Sequence, residues 1–279
     1  MVQIIADTLS SIPVDEAKKL NLPYLPQIVI FGEESFRDDS EISPDSFFDK
    51  LKTSKELPKT TAPYPTLYNP IFTELIKTGE PILVICPSSK VSGTVRSAEV
   101  AAQDFPDADI RILDTPILGA GLGVLVRKAL AWAKTGDSIE SIINKVNELA
   151  SKNRTYFLVD TLEYLQRGGR IGAAQALLGE ILQVKPILAF RNGQVEPLEK
   201  QRTHKKASER FIEIITQECP HEDDANLCIQ HGGAEKEAIE LVNKLKQITG
   251  IKQIPIYPVP PAILVHGGPG VLGVSFFVK

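Results

Sequence analysis

The feature that most constrains the fold is a regular alternation, through the first half of the chain, of short apolar runs with longer segments of helical periodicity. The runs are typical of buried strands, because they are too short for helices and turn residues bound them. Parallel strands covered on both faces by helices produce this pattern. It predicts an α/β architecture with buried strands at Val2–Ala6, Ile28–Phe31, Ile82–Cys86, Ile110–Leu113 and Tyr156–Val159 and helices at Pro65–Lys77, Gly93–Gln103, Gly119–Lys134 and Ile139–Ser151.

The second half of the chain has a different pattern. Two apolar runs, Pro186–Phe190 and Gln194–Leu198, flank Asn192-Gly193, a strong signal for a β-hairpin. Hairpins mixed with helices predict an α+β domain with a mixed sheet. The remaining predicted elements are helices at His204–Glu218 and Ala234–Gln247 and strands at Asn226–Gln230, Gln253–Tyr257, Ala262–His266 and Gly273–Val278.

The length also favours two domains, because 279 residues exceed what one core comfortably supports. We place the α/β domain at residues 1–153 and the α+β domain at residues 154–279.

Composition excludes several classes of protein. A net charge of -4 gives no electrostatic case for nucleic acid. The start of the chain lacks the basic region of a signal peptide, and no apolar run approaches the roughly 20 residues of a membrane-spanning helix. We therefore expect a cytoplasmic protein, compatible with a transient contact at a membrane surface. Its three cysteines are not clustered, and its four histidines do not have the spacing of metal ligands. Neither a disulfide framework nor a metal site is therefore predicted.

Two clusters rich in hydroxyl groups precede predicted helices. In Pro58–Pro65, the alternative to a binding role is ordinary helix capping. Pro87–Thr94 follows the strand that ends at Cys86, at the edge where parallel sheets open their binding crevice. Its hydroxyl and free N–H groups suit a carboxylate or a phosphate. Helix capping is again the alternative to a binding role. A third interpretation makes Ser92 a catalytic nucleophile, although the Gly-x-Ser-x-Gly motif is missing and no histidine is near in sequence.

Three further segments could contact an anion. Arg167-Gly168-Gly169-Arg170 has the composition of an anion nest, or of a solvated loop between domains. Arg202 opens a basic segment at a helix start, where cations oppose the helix dipole; an anionic partner or a solvated charge run would explain it. His266 ends a predicted strand and precedes Gly267-Gly268-Pro269-Gly270; alone, it is usually a satisfied polar residue. No Gly-x-x-x-x-Gly-Lys-Ser/Thr loop for ATP is present.

In series, these segments resemble the DegV family over essentially the whole chain. The resemblance rests on Ala6-Asp7-Thr8, Pro58–Pro63, Ser88–Thr94, Arg167–Ile171, Lys185–Leu188, Arg202-Thr203 and His266–Gly270. It implies a bacterial protein of two α/β domains that buries a long-chain fatty acid between them and uses no cofactor. It also implies that a separate, ATP-binding fatty acid kinase subunit converts the acid to an acyl phosphate for phospholipid synthesis, so that the chain itself is not an enzyme.

The resemblance assigns roles to individual residues. Thr60, Ser92 and His266 would bind the fatty acid, and Arg170 and Arg202 would face the phosphate or the partner. The chain departs from the family pattern where Thr61-Ala62 replaces Ser-Gln and where Thr8-Leu9 replaces Ser-Thr. Two alternatives stay open, namely a self-contained hydrolase that uses Ser92 with His266 and a lipid sensor without a phosphorylated intermediate.

Overall fold

The computed structural model describes residues 1–179 and 184–279. In chain order its helices are α1 (Val14–Lys19), α2 (Pro44–Thr53), α3 (Pro65–Ile76), α4 (Thr94–Ala102), α5 (Ala120–Lys134), α6 (Ile139–Ser151), α7 (Glu163–Arg167), α8 (His204–Glu218), α9 (Glu235–Thr249) and α10 (Pro261–Gly267). Its strands are β1 (Gln3–Asp7), β2 (Tyr24–Leu25), β3 (Ile28–Phe31), β4 (Glu34–Arg37), β5 (Lys59–Thr61), β6 (Ile82–Cys86), β7 (Ile110–Asp114), β8 (Asn153–Leu158), β9 (Lys185–Arg191), β10 (Gln194–Gln201), β11 (Cys228–His231), β12 (Ile256–Pro258) and β13 (Leu272–Phe277).

The first half contains a parallel sheet with strand order β2-β1-β6-β7. Helices cover both of its faces, because side chains of β6 alternate between two cores. Leu83 and Ile85 pack against α5 and α6, whereas Val84 packs with Tyr68 and Phe72 of α3. Burial on both faces explains why these strands are continuous apolar runs, and the predicted α/β architecture is confirmed.

The second half contains a mixed sheet with order β10-β9-β8-β13-β11-β12, in which only β11 and β12 are parallel neighbours among the described strands. Helices α8 and α9 cover one face and bury Tyr156, Ile187 and Phe276. The predicted hairpin is confirmed, since Asn192 and Gly193 have φ angles of 50° and 78°, the left-handed conformation of a tight two-residue turn.

Two of the predicted parallel strands belong elsewhere. The run at Ile28–Phe31 lies in a separate antiparallel sheet of order β4-β3-β5, and Tyr156–Val159 overlaps β8 of the mixed sheet. The prediction that they join the parallel sheet was wrong. A short apolar run indicates burial but does not specify a partner, and the reversal at Gly32 folds β3 back onto β4 instead.

The predicted strand at Ala262–His266 is also wrong, because these residues form α10. Pro261 occupies the first helical turn, where its fixed φ favours a helix and its missing N–H costs nothing. The helix buries Ala262 and Val265 in a core that also contains Leu188 and Phe190 of the mixed sheet and Val29 of β3. Both halves therefore contribute to this core, and the division at residue 153 stays a prediction.

Candidate ligand-binding site

A mainly apolar cavity lies between the parallel sheet, β5, α10 and the face of the mixed sheet that is opposite α8 and α9. Much of its wall is built from large apolar side chains, among them Leu118, Phe157, Phe190, Val259, Ile263 and Val271. Gly273 of β13 also lines the cavity, and its lack of a side chain leaves space above the sheet. A few polar groups lie at the same wall, including Gln27, Thr60, Ser92, Arg170, Gln230 and His266. This combination is typical of a site for a small amphipathic ligand.

Thr60 and His266 contact each other although 206 residues separate them. Thr60 lies in β5, His266 lies in the last turn of α10, and 2.9 Å separates Thr60 Oγ1 from His266 Nε2. The capping alternative for Thr60 is wrong, because the residue before the first turn of α3 is Tyr64.

His266 is neutral at physiological pH. Burial, and secondarily the positive charge of Arg170, lower the pKa of His266 to about 4. Its Nδ1 is buried, faces Gly168 and has no hydrogen-bond partner among the described residues. We assign the proton to Nε2, because a buried N–H without an acceptor costs more than an unused ring nitrogen. His266 then donates to Thr60, whose own O–H is free to donate into the cavity.

Ser92 lies in the turn before α4, opposite the end of β5. Its Oγ accepts from the backbone N–H of Thr94 at 3.3 Å and lies 2.9 Å from Thr94 Oγ1. The turn packs against the residue that follows β5, since a side-chain carbon at Gly93 would lie 3.5 Å from Ala62 Cβ. This close approach brings Ser92 to the same wall as Thr60.

Of the two arginines in the Arg167–Arg170 segment, Arg170 lines the cavity. Its Nε donates to Val91 O at 3.0 Å and its Nη1 donates to Gly168 O at 2.8 Å. These bonds hold the guanidinium group and use two of its five N–H groups. Arg167, by contrast, is exposed and forms an ion pair with Glu163 at 3.0 Å.

Arg202 does not line the cavity. It is exposed and directly precedes Thr203, whose side chain caps α8 by accepting from Lys206 N at 3.2 Å. The structure therefore brings together Thr60, Ser92, His266 and Arg170, and leaves Arg202 on the surface. Its assignment to the phosphate or the partner stays a prediction.

A buried polar network behind Ser92 was missed as part of the site. Asp7, at the end of β1, is 2% exposed and accepts from Leu9 N at 3.1 Å, Gln27 Nε2 at 2.7 Å and Thr94 Oγ1 at 2.9 Å. Burial raises the pKa of Asp7 to about 7 despite these donors. The sequence signal for this network is an acidic residue at the end of a buried apolar strand.

A second carboxyl group continues this network. Asp38 accepts from Thr8 Oγ1 at 2.7 Å and from the backbone N–H of Gln27 at 2.8 Å. Burial raises its pKa to about 8, and the charge of Asp7 adds to the shift. Gln27 thus bridges two buried acids, through its amide to Asp7 and its backbone to Asp38.

Residues 1–179 and 184–279 contain no group of three or more His, Cys, Asp or Glu side chains that could hold a metal ion. In the same ranges, no helix combines the length and the apolar character that a membrane span requires.

Comparison with known proteins identifies relatives along the whole chain. A family model described as "Uncharacterised protein, DegV family" matches residues 1–279. A DegV domain-containing protein of Halalkalibacterium halodurans is 32% identical over 283 residues, which cover 100% of this chain and 99% of the relative.

Two solved structures have the same fold over the full length. The DegV family protein of Thermus thermophilus, described as binding fatty acid, has a TM-score of 0.90 and 29% identity, covering 100% of this chain and 99% of the other. DegV of Bacillus subtilis, a fatty acid binding protein, has a TM-score of 0.88 and 32% identity with the same coverage.

Proposed function

The chain belongs to the DegV family, and from that premise we propose that it binds a long-chain fatty acid in the cavity described above. The carboxyl group would lie at Thr60, Ser92 and His266. The observation that carries this proposal is that two hydroxyl groups and a neutral histidine, from distant parts of the chain, line one mainly apolar cavity, where Thr60 and His266 contact each other.

The chemistry of the cavity fits an acid with a long tail. Hydroxyl groups can bind a carboxyl without burying an opposite full charge beside it. The guanidinium group of Arg170 supplies positive charge at the wall and is held by backbone carbonyls rather than by a carboxylate. The tail would contribute most of the affinity, at about 0.8 kcal/mol per buried methylene.

We further propose that a separate protein acts on the bound fatty acid. The bound carboxyl would be presented to a separate ATP-dependent kinase subunit, which forms an acyl phosphate that enters phospholipid synthesis. Arg170 at the cavity and Arg202 on the surface would balance the charge of the transferred phosphoryl group, as positive groups do in phosphoryl transfer. Two features agree with this division, namely the exposure of Arg202 and the missing ATP loop in the sequence.

The geometry favours a carrier over a hydrolase. A serine nucleophile needs a histidine base within hydrogen-bond reach, yet Ser92 pairs with Thr94 while His266 pairs with Thr60. A histidine with a pKa of about 4 is also a weak base. A hydrolase intermediate would leave an acyl group covalently attached to Ser92, whereas a carrier releases free acid.

The test is to purify the protein from a bacterial host, denature it and identify the released lipid by mass spectrometry. We expect one non-covalent long-chain fatty acid per chain, and a rise in Tm when the acid is added back to delipidated protein, since the ligand binds the native state. Delipidated protein that neither binds fatty acid nor gains stability would refute the proposal. A lipid sensor would pass this test but would yield no acyl phosphate with the cognate kinase and ATP.

A matched pair of double variants locates the carboxyl group. Thr60→Val with Ser92→Ala removes the proposed hydroxyl groups, worth up to roughly 3 kcal/mol each when the partner is charged. Thr61→Val with Ser89→Ala removes neighbouring hydroxyl groups that do not line the cavity. We expect the first pair alone to weaken binding while both remain folded. Normal binding by a folded Thr60/Ser92 variant would place the head group elsewhere.

A further inference from the structure

A chain of hydrogen bonds leads from Ser92, at the cavity wall, to the buried carboxyl of Asp7. Ser92 Oγ lies 2.9 Å from Thr94 Oγ1, and Thr94 Oγ1 lies 2.9 Å from Asp7 Oδ2. The side-chain amide of Gln27 donates to Asp7 Oδ2 at 2.7 Å and to Thr94 Oγ1 at 3.1 Å. Thr94 and Asp7 are 1% and 2% exposed, so water does not interrupt the chain.

The hydroxyl groups of this hydrogen-bond chain can point in either of two directions, depending on whether Asp7 is ionised. When Asp7 is ionised, Thr94 donates its single proton to Asp7, and Ser92 donates to Thr94. Ser92 then offers the cavity only a lone pair, which repels a carboxylate. When Asp7 is protonated, it donates to Thr94 and Thr94 donates to Ser92. Ser92 already accepts from Thr94 N, so its O–H must now point into the cavity.

We propose that Asp7 is a positioning residue that takes up one proton when a carboxylate binds, and that this proton turns the hydroxyl groups of Thr94 and Ser92 towards the ligand. The proton comes from the buffer and ends on Asp7 Oδ2; no covalent bond of the ligand changes. The inference rests on the proposed function, because it places the carboxylate at Ser92.

The surroundings of Asp7 suit a group that changes protonation. Its three donors are a backbone N–H, an amide and a hydroxyl, none of which is charged. The titratable groups that face it are Asp38, Tyr24, Tyr68 and Cys86. Burial raises the pKa of the two tyrosines and of the cysteine, so these remain neutral.

Asp38 stays protonated while Asp7 ionises, because burial and then the charge of Asp7 raise the pKa of Asp38 to about 8. Burial itself places the pKa of the free Asp7 carboxyl at about 7. Because a bound carboxylate favours protonated Asp7, binding raises this pKa further, and by reciprocity the affinity depends on pH. Above about pH 7, binding should therefore take up a proton, and affinity should fall by up to about tenfold per pH unit.

The experiment is isothermal titration calorimetry with decanoate, which is monomeric in water, in phosphate and in Tris buffer at pH 8. The difference in heat between the buffers gives the protons taken up. We expect roughly one proton per decanoate for the wild type. Asp7→Asn removes the titrating carboxyl, so proton uptake and pH dependence should disappear while binding persists. Asp38→Asn, the matched control, leaves the Thr94–Ser92 chain intact and should retain proton uptake.

The ligand itself could be the group that takes up the proton, and carbon NMR of carboxyl-labelled decanoate distinguishes the two. A carbon chemical shift typical of a carboxylate in bound decanoate supports the proposal, and a chemical shift typical of a carboxylic acid overturns it. If Asp7→Asn does not fold, Thr94→Val breaks the same chain and should likewise abolish uptake. Binding by the wild type without proton uptake overturns the proposal and leaves fatty acid binding intact. No binding of decanoate or palmitate overturns both.

Discussion

Gly273 allows the path of the acyl chain to be tested directly. It is the second residue of β13, lines the cavity, and lies opposite Phe157 of β8 and Gln230 of β11. A side-chain carbon there would meet Phe157 Cβ at 3.6 Å and Tyr156 O at 3.7 Å, which are ordinary contacts. The fold therefore tolerates a side chain, and only the cavity loses space.

The expected magnitude follows from the space that a leucine would occupy. We expect Gly273→Leu to displace about three methylene groups of a palmitoyl chain, at about 0.8 kcal/mol each. The sum of about 2.4 kcal/mol corresponds to a roughly fiftyfold weaker Kd. A decanoyl chain, if it ends before β13, should lose much less.

The assay is a titration of delipidated protein with palmitate and with decanoate, alongside thermal unfolding. Gly273→Ala is the control, since its single methyl group fits with normal contacts and should change affinity little. A folded Gly273→Leu protein that binds palmitate as tightly as the wild type would refute the reasoning, because the tail would not cross β13.

Other predictions concern polar residues of the cavity and the exposed Arg202. Gly168→Ala places a methyl group against the His266 ring and should cost about 1 kcal/mol of fatty acid affinity, the worth of one hydrogen bond. Gly179→Ala is the control, because its methyl group enters open space and should cost no affinity. Equal fatty acid titration curves for the two variants would contradict this prediction. The low pKa of His266, about 4 against 6.5 unfolded, means that its unfolded state takes up a proton first. Its contribution to stability should fall from pH 6.5 to pH 4, so the Tm difference between wild type and His266→Gln should shift against the wild type over that range; a constant difference would mean an exposed ring. Arg202→Ala should leave the fatty acid Kd nearly unchanged but sharply reduce acyl phosphate formation by the cognate kinase, whereas Ser92→Ala should mainly lose binding; equal loss of both activities in Arg202→Ala would make it a structural residue.

Local signals in the sequence determined much of the architecture. The alternating runs around Ile82–Cys86 predicted the parallel sheet, because burial on both faces leaves a continuous apolar strand. Asn192-Gly193 predicted the hairpin, because few other residues accept positive φ at both turn positions. These features depend on a few neighbouring residues, so the sequence alone reveals them.

Contacts between distant residues were decided only by the tertiary structure. The run at Ile28–Phe31 predicted a strand but not its partners, and Ala262–His266 became a helix because Pro261 and the core beneath it outweighed β-branched residues. The hydroxyl of Thr60 meets His266 only once β5 packs beside α10. The Asp7 network likewise joins residues 87 positions apart. Such pairs have no periodicity along the chain, because the packing of separate elements, and not local backbone preference, brings them together.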